Sequence, residues 1–179
     1  GAGGEAGDVI WIGGGAEDGH CASGMTRCVP VSGRFTARQR NVYNAVLRVM
    51  RAAMGLLKPG VTLQQYHNEV GELMTKELLD VALITKHDVE KQDPAWPAYK
   101  KYFMHGTSHF IGLDVHDVGN WHEPIRAGHV FTVEPGIYIR EEQLGIRLEN
   151  DILIAENGHV DLMGNIPVEA EAVEEMRSR

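Results

Sequence analysis

The segment GIRLENDILI, residues 145–154, alternates between apolar and polar side chains, which predicts a β-strand with two different faces. One face carries charged residues, namely Arg147, Glu149 and Asp151. The other carries apolar residues, namely Ile146, Leu148 and Ile152. The charged face is typical either of a strand that meets solvent or of a carboxylate-lined sheet that holds a metal ion. In the second case Arg147 would offset part of the acidic repulsion.

A neighbouring strand is predicted at residues 129–134, where the apolar run HVFTVE ends at Pro135 and Gly136. The remaining predicted elements are a short buried strand at 9–12, amphipathic helices opened by capping boxes at 36–57 and 62–81, an irregular segment at 86–101 and a terminal helix at 168–177. This order indicates an α+β fold, with helices on one face of a mainly antiparallel sheet. The opposite face is then free for a site.

Composition limits the class of protein. The chain has 179 residues, 43% hydrophobic and 23% charged, which is typical of an ordinary globular protein, and no internal repeat or second-domain boundary divides residues 1–179. The formal net charge is −8 and the basic residues are dispersed, so neither nucleic acid nor a membrane surface is an expected partner. We expect a cytoplasmic protein with reduced cysteines, because no spanning segment, signal-peptide pattern or disulfide framework is visible.

Histidines and one carboxylate form the densest chemical group. His105 and His109 lie in the segment HGTSH, and His116 follows seven residues later. Histidines of this kind are often surface or hydrogen-bonded core residues, and that interpretation stays open. However, Glu134 ends an apolar strand, where a carboxylate is costly unless a positive group meets it. Imidazole and carboxylate together are common ligands of divalent metals, so a metal site is the functional alternative.

The glycine-rich turn GGGAED, residues 13–18, raises the alternative of a phosphate-binding loop. A dinucleotide fingerprint would need glycine or alanine where Asp18 stands, and a helix directly afterwards. The following residues, 20–24, have no helical period, and Asp18 would repel a phosphate. The sequence therefore disfavours this alternative.

Three motifs in order resemble the aminopeptidase P (Xaa-Pro aminopeptidase) family. They are HGTSHFIGLDVHD at 105–117, TVEPGIY at 132–138 and GIRLEND at 145–151. The resemblance continues upstream through 25–27 and 30–36, so it covers nearly the whole chain. It implies the pita-bread metallopeptidase fold shared with creatinase and methionine aminopeptidase. By this resemblance, residues 1–179 are the C-terminal part of a catalytic domain whose upstream lobe is absent.

The resemblance also implies a dinuclear metal centre, commonly of manganese, with zinc or cobalt as other divalent candidates. Residue by residue, His109 and Glu134 would bind one metal and Glu149 would bridge both. The substrate would be a peptide with proline at its second position.

The same motifs imply catalytic roles. His116 matches a histidine that contacts the substrate at the scissile bond, and Glu134 matches the proposed proton acceptor from the attacking water. His105 and Arg147 match supporting residues of the pocket.

Two family aspartates are replaced in this sequence. The family has one aspartate after the first strand and another eleven residues later, where this chain has Gly13 and Gly24. One metal would keep His109, Glu134 and Glu149, whereas the other would keep Glu149 alone. We therefore expect at most one ion. Three nearby residues would need a rearranged turn to act as substitutes, namely Glu17, Asp18 and His20.

Three functions follow as hypotheses. The first is a metallo-exopeptidase of the Xaa-Pro aminopeptidase type, with activity impaired by the two glycines. The second is an inactive pseudo-peptidase that binds peptides or proteins through the same cleft, and the third is an unrelated hydrolase with one metal. We also expect a homo-oligomer, or a chain completed by an upstream lobe, since half of a pseudo-symmetric domain would leave a sheet edge uncovered.

Overall fold

Two long helices, α1 (Ala37–Leu56) and α2 (Leu63–Asp80), dominate the computed structural model, which describes residues 4–177. Both begin at the predicted capping boxes. In the first box, the backbone N–H of Gln39 donates to the Thr36 hydroxyl, and the Gln39 side chain accepts from the Thr36 N–H. The Thr62 box has the same arrangement. The predicted positions of both helices are therefore confirmed.

The strands are β1 (Val9–Gly14), β2 (Glu17–Asp18), β3 (Cys21–Ala22), β4 (Met25–Pro30), β5 (Val130–Val133), β6 (Gly136–Ile139), β7 (Leu144–Arg147), β8 (Asn150–Ala155) and β9 (Gly158–Asp161). All the pairings are antiparallel: β1 with β4, β2 with β3, β5 with β8, β8 with β9, and β6 with β7. Helix α1 packs against α2 and against the strands β5, β6, β7 and β9. The predicted α+β class is confirmed.

The predicted strand at 145–154 is two strands, which corrects the sequence interpretation. β7 pairs with β6, whereas β8 pairs with β5 and β9, so the chain changes partners at Leu148 and Glu149. There the Leu148 N–H donates to the carbonyl of Pro135, and Glu149 exchanges backbone hydrogen bonds with Thr26 of β4. The alternation of faces nevertheless survives this break, because Ile146, Leu148 and Ile152 are all fully buried.

The structure differs from three other predictions made from the sequence. The run VIWI is a strand, but it is not buried: Trp11 is 46% exposed and Ile12 is 47% exposed, because little besides β4 and β7 packs against β1. The segment 86–101 is not wholly irregular, since it contains α3 (Lys86–Glu90) and a 3₁₀ helix at Ala98–Lys101. Gly136, predicted as punctuation, begins β6.

The terminal helix agrees with the sequence, whereas β2, β3, β4, β9 and a second 3₁₀ helix were not predicted. The terminal helix is α4 (Ala170–Arg177), and a second 3₁₀ helix occupies Arg140–Glu142. Cys21 and Cys28 are free thiols, as predicted. Within residues 4–177, no helix is both long enough and apolar enough to cross a bilayer.

Candidate functional site

Three potential metal ligands converge where β5, β8 and the histidine loop meet. Each of His109, Glu134 and Glu149 offers one donor atom, and the three atoms lie within 4.8 Å of one another. Within this group, His109 Nε2 and Glu134 Oε1 are 3.4 Å apart. The structure thus brings together all three residues that the resemblance assigned to metal binding.

Backbone pairing holds the histidine loop against β5. The N–H of Thr132 donates to the carbonyl of His109 at 3.2 Å, and the N–H of Glu134 donates to the carbonyl of Thr107 at 2.8 Å. The N–H of His109 in turn donates to the Thr132 hydroxyl at 3.1 Å. These bonds place the imidazole beside the end of β5, which is where Glu134 follows the strand.

The imidazole of His109 is oriented by its own loop. Its Nδ1 lies 2.8 Å from the carbonyl oxygen of Phe110. A carbonyl only accepts, so Nδ1 carries the proton and donates. In the neutral ring the lone pair is then on Nε2, which faces the two carboxylates, and this is the tautomer that metal coordination requires.

Glu149 is held by Thr26, a residue that the sequence analysis did not identify. The Thr26 hydroxyl donates to Glu149 Oε2 at 2.5 Å, and an Nη of Arg147 donates to the same hydroxyl oxygen at 3.0 Å. Glu149 is only 7% exposed. The carboxylate is therefore fixed by a chain of hydrogen bonds that ends at a cation.

Glu134 lies in an environment that opposes its ionisation. The pKa of Glu134 is raised to about 7: burial is the largest cause and the charge of Glu149 adds to it, against the opposing charges of Arg147 and His116. The nearest cation is Arg147, whose Nη1 lies 3.8 Å from Glu134 Oε2. Two carboxylates this close favour either a shared proton or an added positive ion.

The remaining predicted site residues surround this cluster. His105 Nδ1 donates to the carbonyl of Gly106 at 2.8 Å, so Nε2 accepts from the Tyr138 hydroxyl at 2.7 Å. Burial lowers the pKa of His105, which favours this neutral form. His116 is exposed, and its ring centroid lies 4.5 Å from that of His109.

A cleft of about 360 Å³ opens over the carboxylates, and its walls include the glycines Gly13, Gly14, Gly15 and Gly24 together with His116, Glu134, Arg147 and Glu149. A Cβ at Gly13 would meet no heavy atom within 4 Å. A Cβ at Gly24 would lie 3.0 Å from Glu149 Oε1 and 4.0 Å from Asp151 Oδ1. The two replaced positions therefore differ: Gly24 faces the carboxylates directly, and Gly13 faces open space.

The sequence neighbours of these glycines do not replace the lost aspartates. Glu17 and Asp18 form β2 and are exposed, and His20 is exposed next to Glu17, with Nδ1 3.6 Å from Oε1. None of the three lines the cleft.

Thr26, Trp11 and Tyr138 are functional neighbours that sequence reasoning missed. Thr26 belongs to β4, which the sequence analysis did not recognise as a strand. The Trp11 ring lies 5.5 Å from the Arg147 guanidinium, and its Nε1 donates to the carbonyl of Gly145. Tyr138 lies in the quoted motif at 132–138, but its role depends on the fold that places it against His105.

The donor set fits one divalent cation. One imidazole nitrogen and two carboxylate oxygens suit manganese, zinc or cobalt, and buried acidic groups need a positive partner. A second ion would find fewer protein donors, because Gly13 and Gly24 contribute no side-chain oxygen.

Known proteins with related sequences and structures agree with this geometry. A model of metallopeptidase family M24 matches residues 3–156. The Xaa-Pro aminopeptidase of Haemophilus influenzae is 36% identical over 182 aligned positions, which cover 95% of this chain and 42% of that protein. The chain thus spans about two-fifths of the length of this relative.

Solved structures show the same relationship. Zinc-substituted Escherichia coli aminopeptidase P in complex with product superimposes with a TM-score of 0.86 at 34% identity, covering 97% of this chain and 42% of that one. The E. coli enzyme with the inhibitor Pro-Leu gives the same TM-score and covers 97% and 43%. The predicted pita-bread fold is confirmed as a partial one. The chain belongs to metallopeptidase family M24, and within that family it is similar to the Xaa-Pro aminopeptidases.

Proposed function

We propose that this chain carries the metal-holding part of an Xaa-Pro aminopeptidase-type active site, with His109, Glu134 and Glu149 as ligands of a single divalent cation. The observation that carries the proposal is the convergence of their donor atoms within 4.8 Å on a cleft. Manganese is the expected ion, and zinc or cobalt would suit the same donors. The substrate is a peptide with proline at its second position, as the names of the relatives indicate.

The bound cation would supply Lewis-acid polarisation and a more acidic water. Side chains of the protein would supply the other catalytic and positioning roles. Glu134, whose carboxylate borders the cleft, would accept the proton that the attacking water loses. His116, exposed on the cleft wall, contacts the peptide at the scissile bond. His105 stays neutral against Tyr138, and Arg147 offsets the charges of the two glutamates.

The two glycines limit this activity. A dinuclear site stabilises both the attacking and the leaving oxygen, whereas one ion stabilises less of that charge. Gly13 and Gly24 remove two carboxylates from the positions where the family has them. We therefore expect peptide hydrolysis that is slow compared with that of a two-metal relative.

A second candidate function is a peptide-binding module without catalysis. The observation that favours it is the glycine-lined wall of the cleft, which leaves open space at Gly13. An unrelated one-metal hydrolase is a weaker third candidate, since it would need a different base and substrate pocket. Metal content and peptide hydrolysis separate these candidates.

Manganese titration by calorimetry tests the proposal. We expect about one ion per chain in the parent and none in Glu149→Gln, because the variant removes a charged donor from a small ligand set. Glu156→Gln is the matched control, since Glu156 is an exposed glutamate seven residues along the chain. It should bind like the parent.

Other outcomes count against the proposal. No binding by the parent overturns it, and two tightly held ions per chain overturn the single-ion site. Binding of one ion without faster cleavage of an Xaa-Pro peptide than of its Xaa-Ala counterpart supports the binding module instead.

A further inference from the structure

We propose that His67 is a positioning residue of the candidate active site, which holds the histidine loop (residues 105–109) through a hydrogen bond to Thr107. The inference rests on the proposed metal site, because that loop carries the ligand His109. His67 belongs to α2 and lies outside both the ligand group and the lining of the cleft. It would therefore act through Thr107.

Thr107 joins α2, the histidine loop and the end of β5. Its side chain is fully buried, and its hydroxyl oxygen lies 3.0 Å from Nδ1 of His67. Its carbonyl accepts the backbone N–H of Glu134 at 2.8 Å. Burying a hydroxyl without a partner is costly, so the imidazole of His67 stabilises this conformation of Thr107. Two residues of the metal site depend on that conformation: Glu134, through the Thr107 carbonyl, and His109, two residues along the loop.

Aromatic rings keep the imidazole of His67 in place. Its centroid lies 6.0 Å from that of Phe103 and 6.3 Å from that of Trp121. Phe103 in turn meets the ring of His105 edge-on, with centroids 5.0 Å apart. A Cβ at Gly106 would lie 3.2 Å from the ring of Trp121, so this indole also lies against the loop. His67 and the loop therefore share the same two aromatic neighbours.

A second hydrogen bond joins the same turn of α2 to the same loop. The hydroxyl of Ser108 donates to that of Tyr66 at 3.1 Å, and both residues are buried. Adjacent residues of the helix thus bond to adjacent residues of the loop. Adjacent helical side chains point roughly 100° apart, so the two bonds hold the loop from different directions and restrict its rotation.

The charge state of His67 suits this role. Its pKa is lowered, chiefly by burial and to a smaller extent by the charges of Lys100 and His105. A neutral imidazole has one donor and one acceptor nitrogen, so it can bond to the hydroxyl without adding a positive charge near a cation site. A protonated ring would instead oppose the ion.

The first test compares manganese binding by His67→Phe and His67→Asn, followed by the electron paramagnetic resonance signal of free Mn²⁺. Phenylalanine keeps an aromatic ring but no hydrogen-bonding nitrogen, whereas asparagine keeps a polar atom where Nδ1 stands. We expect affinity about tenfold lower in His67→Phe and close to that of the parent in His67→Asn. Unchanged affinity in His67→Phe, or an equal loss in His67→Asn, would overturn the inference.

Tyr43→Phe is the control for a loss of stability that does not involve the loop. It removes the hydroxyl of a fully buried tyrosine of α1, which donates to the carbonyl of Val168 at 2.7 Å. This variant should bind manganese like the parent.

Removing the other partner separates the hydrogen bond from an effect of ring packing. Thr107→Val has nearly the same shape without the hydroxyl, and Thr107→Ser keeps the hydroxyl. If the bond is the cause, Thr107→Val should lower the affinity as much as His67→Phe, and the double variant should lose no more than either single one. Additive losses would mean that the two residues act independently, which overturns the inference. If His67→Phe does not fold, the comparison of Thr107→Val with Thr107→Ser replaces it.

The imidazole ¹⁵N spectrum of the metal-free chain separates this inference from the proposed metal site. At a pH well above the ordinary pKa of histidine, the ¹⁵N shifts report which ring nitrogen carries the proton. In the parent and in Tyr43→Phe, His109 should be protonated at Nδ1, which donates to the Phe110 carbonyl. In His67→Phe we expect a mixture of the two tautomers. A parent that binds no manganese refutes the metal site, and the ¹⁵N comparison then decides the inference alone. The same single tautomer in His67→Phe as in the parent would refute the inference, whatever the parent binds.

Discussion

Replacing Glu134 by glutamine should remove part of the pH dependence of the free energy of unfolding in the metal-free chain. Burial and the neighbouring Glu149 raise the pKa of Glu134 from an ordinary value of 4.5 to about 7. The folded chain therefore binds a proton that the unfolded chain releases between these two values. Stability from the protonated group is complete below the unfolded pKa and is lost as pH rises through the folded pKa.

The size of the effect follows from the two pKa values. One pKa unit corresponds to about 1.4 kcal/mol, so the rise from 4.5 to about 7 corresponds to a loss of about 3 kcal/mol in the free energy of unfolding by about pH 8. The Glu134 side chain is 13% exposed, so solvent screens this effect only weakly. Asp151, whose burial raises its pKa to about 6, lowers stability in the same direction in both proteins.

Urea denaturation in chelator at about pH 4 and about pH 8 measures the difference. The parent should lose about 3 kcal/mol more than Glu134→Gln over this interval. Glu142→Gln is a control of opposite sign: the hydrogen bonds from Arg38 lower the pKa of Glu142, so its contribution is lost as pH falls. Parallel pH profiles for the parent and Glu134→Gln would refute the reasoning.

Two further predictions concern packing and association. Gly71→Ala should destabilise the chain by about 1–3 kcal/mol in urea, because a Cβ would lie 2.6 Å from the buried ring of Tyr99, whereas Gly55→Ala in open space should gain about 0.5–1 kcal/mol from helix propensity. A gain in both variants would contradict the close contact. Light scattering should show a dimer or larger species, since β1 exposes apolar side chains such as Trp11, and a monomer at all concentrations would contradict this.

Local signals in the sequence predicted the helices well. The capping boxes at Thr36 and Thr62 involve residues three apart, so the sequence alone specifies where α1 and α2 begin. The limits of the strands were less predictable. The break at Leu148 depends on a hydrogen bond to Pro135, thirteen residues away, which alternation cannot indicate.

The burial of side chains was also only partly predictable from the sequence. Alternation correctly placed Ile146 and Arg147 on opposite faces of the strand. Ile146 is fully buried, whereas Arg147 is partly exposed. The apolar run at Trp11 looked buried, but burial depends on which elements cover a strand, and little besides β4 and β7 packs against β1. Apolar composition therefore predicted the strand but not its exposure.

Sequence motifs identified some residues of the site, whereas the others could be identified only from the tertiary structure. His109, Glu134 and Glu149 were identifiable from quoted motifs, and the fold brings their donor atoms together. Thr26 was not identifiable, since its role depends on a hydrogen bond to a residue 123 positions away. Asp151 Oδ1 is likewise a buried oxygen without a hydrogen-bond partner among residues 4–177, which is visible only when burial and hydrogen bonds are known.

The charges around Glu134 couple metal binding to the protonation of this carboxylate. Without metal, the closest compensation for Glu134 and Glu149 is Arg147, which lies 3.8 Å from one carboxylate and reaches the other through the Thr26 hydroxyl. Protonation of Glu134 relieves the remaining repulsion, so a cation that binds there must displace that proton. Manganese affinity should therefore rise with pH up to about 7, while the stability of the metal-free chain falls. At saturating manganese the pH trend of the melting temperature should become weaker than in chelator, because the ion replaces the proton as the positive partner of the two glutamates.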